Sequence, residues 1–158
     1  MADQKKRFEA VIQKFKEHGF KMTPQRMAIV DILAKSEDHP SVEDMYAQLK
    51  EDFPTMSLAT VYKNVSLLKS LGEVLELGFP DGSNRYDGNK PDPHPHVICI
   101  KCKKIVDPDL TSLDEMKKEV ASETDFTILN HRLDFFGLCK DCMQKEILSS
   151  KSKVKGKD

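Results

Sequence analysis

Two closely spaced cysteine pairs are the clearest chemical feature of the sequence. They are Cys99-Ile-Lys-Cys102 and Cys139-Lys-Asp-Cys142, and together they use every cysteine of the chain. Each C-x-x-C turn can present two thiolates to one ion, and four thiolates in two such turns are a ligand set of structural zinc. Because the two pairs lie far apart in the sequence, one ion would join two distant segments of a small domain. We therefore predict one structural Zn²⁺ per chain, bound by these residues.

Redox and disulfide chemistry are the alternatives for these cysteines. A redox-active C-x-x-C of the thioredoxin type follows a strand and opens a helix. Here the residues after Cys102, Lys103 to Val106, have the pattern of a strand, so the pair is predicted to lie in a turn between strands. Structural disulfides are rare in cytosolic proteins. Zinc is favoured over both alternatives.

Histidine and aspartate side chains form a second candidate metal site. His94 and His96 are two residues apart, which places both imidazoles on one face of a strand. Asp87 precedes the predicted hinge, Asp107 closes the strand after the first cysteine pair, and His39 lies in the loop before the third helix. Imidazole and carboxylate ligands suit Fe²⁺, Mn²⁺ or Zn²⁺. Spacing alone indicates only the histidine pair, and it leaves surface or hydrogen-bonded roles open for all five residues.

The elements that must position these residues are helical in the first half of the chain. Apolar residues recur at helical spacing from Phe8 to Phe15, and Gly19 follows as a stop. Three further helices are predicted to begin at N-terminal caps, namely Thr23 before Pro24, Ser41 with Asp44 as a capping box, and Ser57. The fourth helix ends at Gly72.

A hairpin is predicted directly after the fourth helix, because the strands 74–79 and 84–86 flank the turn sequence Pro80-Asp81-Gly82-Ser83. Helices followed by a hairpin are typical of a winged helix-turn-helix. The second half alternates with period two and predicts strands, the last one over 128–136, with a helix over 113–120 and a terminal helix over 143–148.

The predicted fold class is therefore α+β, with an N-terminal winged-helix domain and a small C-terminal α/β dimerisation domain containing the Cys₄ zinc site. The predicted boundaries are 1–87 for the DNA-binding domain, 88–93 for a hinge, 94–150 for the dimerisation and metal-binding domain, and 151–158 for a disordered basic tail.

Composition limits the function classes. The chain has 158 residues, a net charge of −1 and no apolar run of membrane-spanning length, so no membrane association is expected. The N-terminus does not resemble a signal peptide, and the expected location is the cytoplasm. A nucleic-acid role requires a local basic surface, because bulk charge does not supply one.

Several motifs in order along the chain resemble the ferric uptake regulator family of bacterial repressors, and within it the peroxide-sensing branch. The motifs that carry this resemblance are Lys21-Met-Thr-Pro-Gln-Arg26, His39-Pro40, Ser57-Leu-Ala-Thr-Val-Tyr-Lys-Asn64, Asn84-Arg-Tyr-Asp87, His94-Pro-His96-Val-Ile-Cys99-Ile-Lys-Cys102, Lys104-Ile-Val-Asp107, His131-Arg-Leu133 and Gly137-Leu-Cys139-Lys-Asp-Cys142. The resemblance as a whole extends from about residue 8 to residue 146, nearly the whole chain.

The resemblance implies one regulatory Fe²⁺ or Mn²⁺ per chain, held by His39, Asp87, His94, His96 and Asp107 at the junction of the two domains. Iron-sensing relatives usually carry Glu at the positions of Asp87 and Asp107, whereas peroxide sensors carry Asp. In the peroxide-sensing branch, bound Fe²⁺ reacts with hydrogen peroxide, a histidine matching His39 or His94 is oxidised, and DNA is released. The implied protein is a homodimeric repressor of a palindromic double-stranded operator and is not an enzyme.

The fourth helix is the predicted recognition element, and Lys21 matches a family position that enters the minor groove. The predicted DNA contacts are Lys21, Ala59, Thr60, Tyr62, Lys63 and Asn64. A solvated helix face is the alternative interpretation of this set.

A further metal site found in many relatives is predicted to be absent, because Pro93 and Pro95 replace its ligands and leave only Asp114 and His131. His131 is instead expected to lie in a strand and to make a structural hydrogen bond.

Three other functions stay open at this point. The first is an iron- or manganese-responsive repressor without a peroxide role. The second is a metalloenzyme, which would turn over many equivalents of peroxide where a sensor consumes about one. The third is a zinc-knuckle scaffold, which would show no metal-dependent DNA binding.

Overall fold

The computed structural model of the chain describes residues 2–79 and 82–154. These residues form two compact units that divide after Asp92, called here the N-terminal unit and the C-terminal unit. Helices and strands are mixed along the chain, which confirms the predicted α+β class. Within the described residues, no helix has the length and apolar character needed to cross a membrane.

The N-terminal unit packs four helices against a two-stranded hairpin. The elements are α1 (Ala2–Glu17), α2 (Pro24–Lys35), α3 (Val42–Leu49), α4 (Leu58–Ser70), β1 (Leu75–Leu77) and β2 (Arg85–Asp87). The strands are antiparallel, and Leu75 pairs with Asp87. The core side chains Phe15, Ile29, Met45 and Val61 are fully buried, so each of the four helices contributes one apolar stripe to a single core.

The predicted helix starts are confirmed by their hydrogen bonds. Thr23 Oγ1 accepts from Arg26 N at 3.2 Å, and Ser57 Oγ accepts from Thr60 N at 3.2 Å. At α3, Ser41 forms the predicted capping box with the carboxylate of the third helical residue. Pro80 and Asp81 of the predicted hairpin turn lie outside the described residues.

The C-terminal unit consists of a three-stranded sheet and two helices. The elements are β3 (His96–Cys99), β4 (Ile105–Val106), α5 (Leu113–Thr124), β5 (Asp134–Gly137) and α6 (Lys140–Val154). The strand order is β4-β3-β5, and β5 runs parallel to β3. The last residues of β3 and β5 therefore lie side by side, with Cys99 paired to Gly137 and Cys139 two residues further on.

Two predictions about the C-terminal unit were wrong. The strand predicted over 128–136 is formed only by Asp134–Gly137, because its partner β3 offers only the four positions His96–Cys99. Before it, Asn130 Oδ1 accepts from His131 N at 2.7 Å, a local bond of the kind that competes with strand pairing. Helix α6 continues to Val154, so residues 151–154 are helical where a disordered tail was predicted. Residues 155–158 lie outside the described residues.

Candidate metal centres and DNA-binding surface

The four cysteine sulfurs meet in one cluster in the C-terminal unit. Each Sγ atom of Cys99, Cys102, Cys139 and Cys142 lies within 4.8 Å of the other three. The Cys102 and Cys139 sulfurs are 3.7 Å apart. Tetrahedral zinc with bonds of about 2.3 Å separates its sulfurs by about 3.8 Å. The cluster therefore fits one zinc ion with small side-chain movements.

Strand and turn geometry hold the first cysteine pair in place. Cys99 ends β3, and its backbone N donates to Lys104 O at 2.9 Å. Lys103 has φ +60, a left-handed conformation, and its N donates back to Cys99 O at 2.9 Å. Cys139 N donates to Cys99 Sγ at 3.4 Å. A backbone donor aimed at a sulfur is the bond expected around a thiolate ligand.

Within the cluster, the pKa of one thiol is lowered and the pKa of another is raised. The pKa of Cys99 is lowered to about 6, mainly because the backbone N–H groups of Cys139 and Cys102 stabilise its thiolate. The pKa of Cys142 is raised to about 12 by hydrogen bonding with the Cys139 sulfur and by burial. Four thiolates at this distance repel one another unless a cation replaces the protons, which is what a divalent metal does.

In the N-terminal unit, His39 and Asp87 form a buried pair. His39 Nε2 lies 3.3 Å from Asp87 Oδ2, and the two side chains are 2% and 4% exposed. The Pro40 carbonyl accepts from Tyr86 N at 3.1 Å, which ties the loop of His39 to the strand of Asp87. His39 has φ +50, a strained conformation of the kind often found at functional sites.

The Asp87 carboxylate is further oriented by the chain that follows it. Its Oδ1 accepts from the backbone N atoms of Asn89 and Lys90, each at 2.8 Å. Gly88 is required here, because a Cβ at this position would lie 2.6 Å from Leu33 Cβ. With Oδ1 held by the backbone, Oδ2 is the atom that faces the imidazole.

In the C-terminal unit, one carboxylate faces two imidazoles. Asp107 Oδ2 lies 3.4 Å from His94 Nε2, and Asp107 Oδ1 lies 4.0 Å from His96 Nε2. The centroids of the two imidazole rings are 4.4 Å apart. Two imidazole nitrogens and a carboxylate at these separations are a donor set that suits iron or manganese.

Asp134 is a residue of this site that the sequence analysis missed. Its Oδ1 lies 3.4 Å from His96 Nδ1, and its side chain is 8% exposed. The parallel pairing of β3 and β5 sets the two residues directly side by side. A carboxylate between the apolar residues Leu133 and Phe135 was the signal in the sequence that could have indicated it.

The prediction for His131 was wrong. This residue lies before β5 rather than in a strand, and its Nε2 atom is buried without a hydrogen-bond partner. It lines a cavity of about 220 Å³ whose other walls include Leu113, Met116 and Val120 of α5.

The predicted recognition helix α4 exposes most of the residues assigned to DNA contact. Ala59, Tyr62 and Lys63 are exposed, as is Lys21, and Thr60 is half-buried. Asn64 is the exception and corrects the prediction, since it is only 7% exposed. Its position continues the buried stripe of Val61, Val65 and Leu68, so helical spacing turns it toward the core.

Arg26 connects three parts of the N-terminal unit. Its guanidinium lies over the rings of Phe15 and Phe20 at 5.1 and 5.8 Å, and its Nε donates to Asn64 Oδ1 at 2.9 Å. Its Nη1 donates to the Lys21 carbonyl. Arg26 thus holds the Lys21 segment against the end of α1 and against α4.

Tyr62 makes a contact that was not predicted. Its hydroxyl donates to Glu43 Oε1 of α3 at 2.9 Å, and this bond raises the pKa of Tyr62. The hydroxyl proton of Tyr62 is therefore engaged by the Glu43 carboxylate.

A sequence profile of the ferric uptake regulator family matches residues 17–136, most of the chain. The chain belongs to the ferric uptake regulator family. It is also similar to the peroxide-responsive repressor PerR of Staphylococcus saprophyticus, at 42% identity over 87% of this chain and 92% of the relative.

Solved structures of regulators in this family share the fold. The Campylobacter jejuni peroxide stress regulator matches with a TM-score of 0.67 and 32% identity, over 83% of this chain and 98% of that one. The Helicobacter pylori ferric uptake regulator matches with a TM-score of 0.77 and 24% identity, over 89% of this chain and 93% of that one. Members of the ferric uptake regulator family are metal-responsive, DNA-binding transcriptional repressors that form dimers, and they are not enzymes.

Proposed function

We propose that this regulator is a peroxide-responsive repressor whose regulatory ion is bound by His39, Asp87, His94, His96 and Asp107. The proposal assigns Fe²⁺ or Mn²⁺ to that site, one per chain, and one structural Zn²⁺ to the four-cysteine cluster. It is supported by the similarity to a relative named as a peroxide-responsive repressor. The zinc assignment is supported by sulfur distances that match tetrahedral coordination.

The observation that carries the proposal is the position of Asp107 against both imidazoles of the C-terminal unit, 3.4 Å from His94 Nε2 and 4.0 Å from His96 Nε2. Aspartate has one methylene group fewer than glutamate, so its carboxylate takes less space beside the two imidazoles. Glutamate, which the iron-sensing relatives usually carry here, would fill more of that space. The buried pair of His39 and Asp87 supplies the same combination of imidazole and short carboxylate.

The sensing reaction consumes one peroxide per site. Fe²⁺ held by these residues would supply one-electron reduction of hydrogen peroxide, and the electron would return to the ion when the imidazole is oxidised. The net change is one oxygen atom added to an imidazole ring and one water molecule released. Of the two imidazoles beside Asp107, His94 is 17% exposed and His96 is 1% exposed, so peroxide has better access to His94. His39 and His94 are the proposed oxidation-sensitive residues.

The DNA contacts of the proposal are the exposed part of the predicted set. Lys63 and Tyr62 on α4 and Lys21 before α2 are placed against an operator duplex, with Ala59 and Thr60 beside them. A homodimer in the cytoplasm would present two such surfaces to a palindromic operator. An ion that takes ligands from both units would make DNA binding depend on the metal.

The direct test measures DNA binding and protein mass after peroxide. Protein loaded with Zn²⁺ and Fe²⁺ is treated with one equivalent of hydrogen peroxide and mixed with a duplex selected from a random library by the Mn²⁺-loaded protein. We expect loss of DNA binding and a gain of one oxygen on a peptide that contains His39 or His94. The Mn²⁺-loaded protein is the control and should keep binding DNA, because Mn²⁺ does not readily reduce peroxide.

A matched variant separates peroxide sensing from metal binding. Asp107→Glu should keep metal-dependent DNA binding and lose most of the peroxide response, because the longer carboxylate fills the space beside the imidazoles. Unmodified histidines and intact DNA binding after peroxide would instead identify an iron- or manganese-responsive repressor. Oxidation confined to cysteines, with release of zinc, would place the sensing chemistry in the four-cysteine cluster.

A further inference from the structure

The two ring nitrogens of His96 face two different carboxylates. Its Nε2 faces Asp107 at 4.0 Å, and its Nδ1 faces Asp134 Oδ1 at 3.4 Å. The imidazole is 1% exposed, and its backbone N donates to Leu133 O at 3.0 Å. The ring is therefore held between a proposed ligand on one side and a carboxylate of β5 on the other.

The carboxylate of Asp134 is itself held in place. Its Oδ2 accepts from Arg132 Nε at 2.6 Å, and its side chain is 8% exposed. Pairing of β3 with β5 fixes its distance from His96, since the two residues are register partners. The bond to Arg132 and the strand pairing together restrict the movement of the Asp134 carboxylate.

The carboxylate beside Nδ1 influences which ring nitrogen of His96 carries the proton. A neutral imidazole carries its proton on one nitrogen only, and the other nitrogen has the lone pair that binds a metal. A carboxylate beside Nδ1 favours the tautomer with the proton on Nδ1, which directs the Nε2 lone pair toward Asp107. Carboxylates in this position also fix the ring orientation and raise the basicity of the ligating nitrogen.

We propose that Asp134 is a positioning residue for the regulatory metal, which it serves by holding His96 in the tautomer and orientation that bind the ion through Nε2. This inference rests on the proposed function, because it takes His96 as a ligand. It assigns no ligand role to Asp134, whose oxygen lies on the opposite side of the ring from Asp107.

The experiment measures Mn²⁺ affinity and the His96 tautomer in full-length, zinc-loaded protein. Asp134→Ala and Asp134→Asn are titrated with Mn²⁺, and the imidazole nitrogen shifts of the metal-free regulatory site are recorded in parallel. We expect Mn²⁺ affinity to fall about 10- to 100-fold in Asp134→Ala, the usual effect of losing such a partner, and less in Asp134→Asn. The His96 signals should shift from the Nδ1-protonated form toward a mixture of tautomers.

Two controls distinguish this role from general damage. Zinc content and thermal unfolding report whether the C-terminal unit is intact, and Asp134→Asn preserves side-chain volume if Asp134→Ala does not fold. Asp114→Asn removes an exposed carboxylate that pairs with Lys117, and it should leave Mn²⁺ affinity unchanged.

Wild-type Mn²⁺ affinity in both Asp134 variants would overturn the inference, as would weaker binding with an unchanged His96 tautomer. His96→Ala tests the proposed function separately. If His96→Ala binds Mn²⁺ as tightly as wild type, the ligand set itself is wrong. If His96→Ala loses Mn²⁺ while the Asp134 variants keep it, only the positioning role fails.

Discussion

At the scale of single residues, ligand atoms are held by backbone conformations and hydrogen bonds that the ligand type alone does not reveal. Lys103 and His39 have φ +60 and +50, and each lies in or beside a candidate metal site. Non-glycine residues in this region cost of order 1–3 kcal/mol each, so the surrounding contacts must offset the strain. For Lys103 these contacts include the bond from its N to Cys99 O at 2.9 Å.

The cysteine cluster leads to a prediction about folding. Cys99→Ser and Cys139→Ser should each lose the structural zinc, because a hydroxyl replaces one of four thiolates. Since the cluster joins the end of β3 to the start of α6, zinc loss should unfold the C-terminal unit or prevent dimerisation. Zinc content by mass spectrometry, thermal unfolding and analytical ultracentrifugation measure these effects. Ser122→Ala on α5 is the control, and one zinc per chain in either cysteine variant would contradict the prediction.

At the scale of elements, local signals in the sequence were sufficient for the helix starts and the hairpin but not for the side that each residue faces. Thr23, Ser41 and Ser57 are N-caps as predicted, because capping depends only on residues within one turn. Asn64 was misassigned because its polarity indicated solvent, whereas Arg26, distant in sequence, gives its Oδ1 a half-buried partner at 2.9 Å. Tertiary partners of this kind have no local signal.

Strand length also depends on a partner that is distant in the sequence, as β5 shows. The apolar pattern over 128–136 was compatible with a long strand, but hydrogen bonding requires a partner, and β3 provides only four positions. In the same way, cysteine spacing predicted the cluster, while the place of Asp134 beside His96 depends on the parallel register of two strands. The sequence therefore predicted ligand candidates better than the residues that orient them.

Helix α4 leads to a prediction that separates DNA contact from stability. Lys63→Ala should weaken DNA binding and reduce the salt dependence by about one phosphate contact, with little change in stability. Lys69→Ala is the matched control, because Lys69 lies on the same helix and pairs with Glu76. The salt dependence of DNA binding by this variant should stay near that of the wild type. Fluorescence anisotropy over a range of salt concentrations measures both.

Asn64→Ala should lower stability and leave the salt dependence of DNA binding unchanged. Removing the amide leaves Arg26 Nε without its acceptor and should lower the free energy of unfolding by about 1–3 kcal/mol. Its salt dependence of DNA binding should match wild type under conditions where the variant is folded, as checked by denaturant unfolding. A reduced salt dependence with unchanged stability would return Asn64 to the DNA interface.

At the scale of the whole molecule, the proposed function requires that metal and DNA influence each other through one chain. The candidate ligands His39 and Asp87 belong to the unit that contains α4, whereas His94, His96 and Asp107 belong to the unit that contains the cysteine cluster. If one ion takes all of them, its binding has a free energy that depends on the state of both units. Coupling of this kind is reciprocal by thermodynamic necessity.

We predict that this reciprocity can be measured. The factor by which Mn²⁺ raises the affinity for the selected duplex should equal the factor by which the duplex raises the affinity for Mn²⁺, because the two binding steps close one thermodynamic cycle. A tenfold effect corresponds to about 1.4 kcal/mol of coupling in either direction. Calorimetric titration of Mn²⁺ with and without duplex, paired with anisotropy with and without Mn²⁺, measures both sides of the cycle. His39→Ala should lower both factors together, since it removes a proposed ligand from the N-terminal unit alone. If DNA leaves Mn²⁺ affinity unchanged while Mn²⁺ still strengthens DNA binding, the added metal acts at another position, and the five-residue site is not the regulatory one.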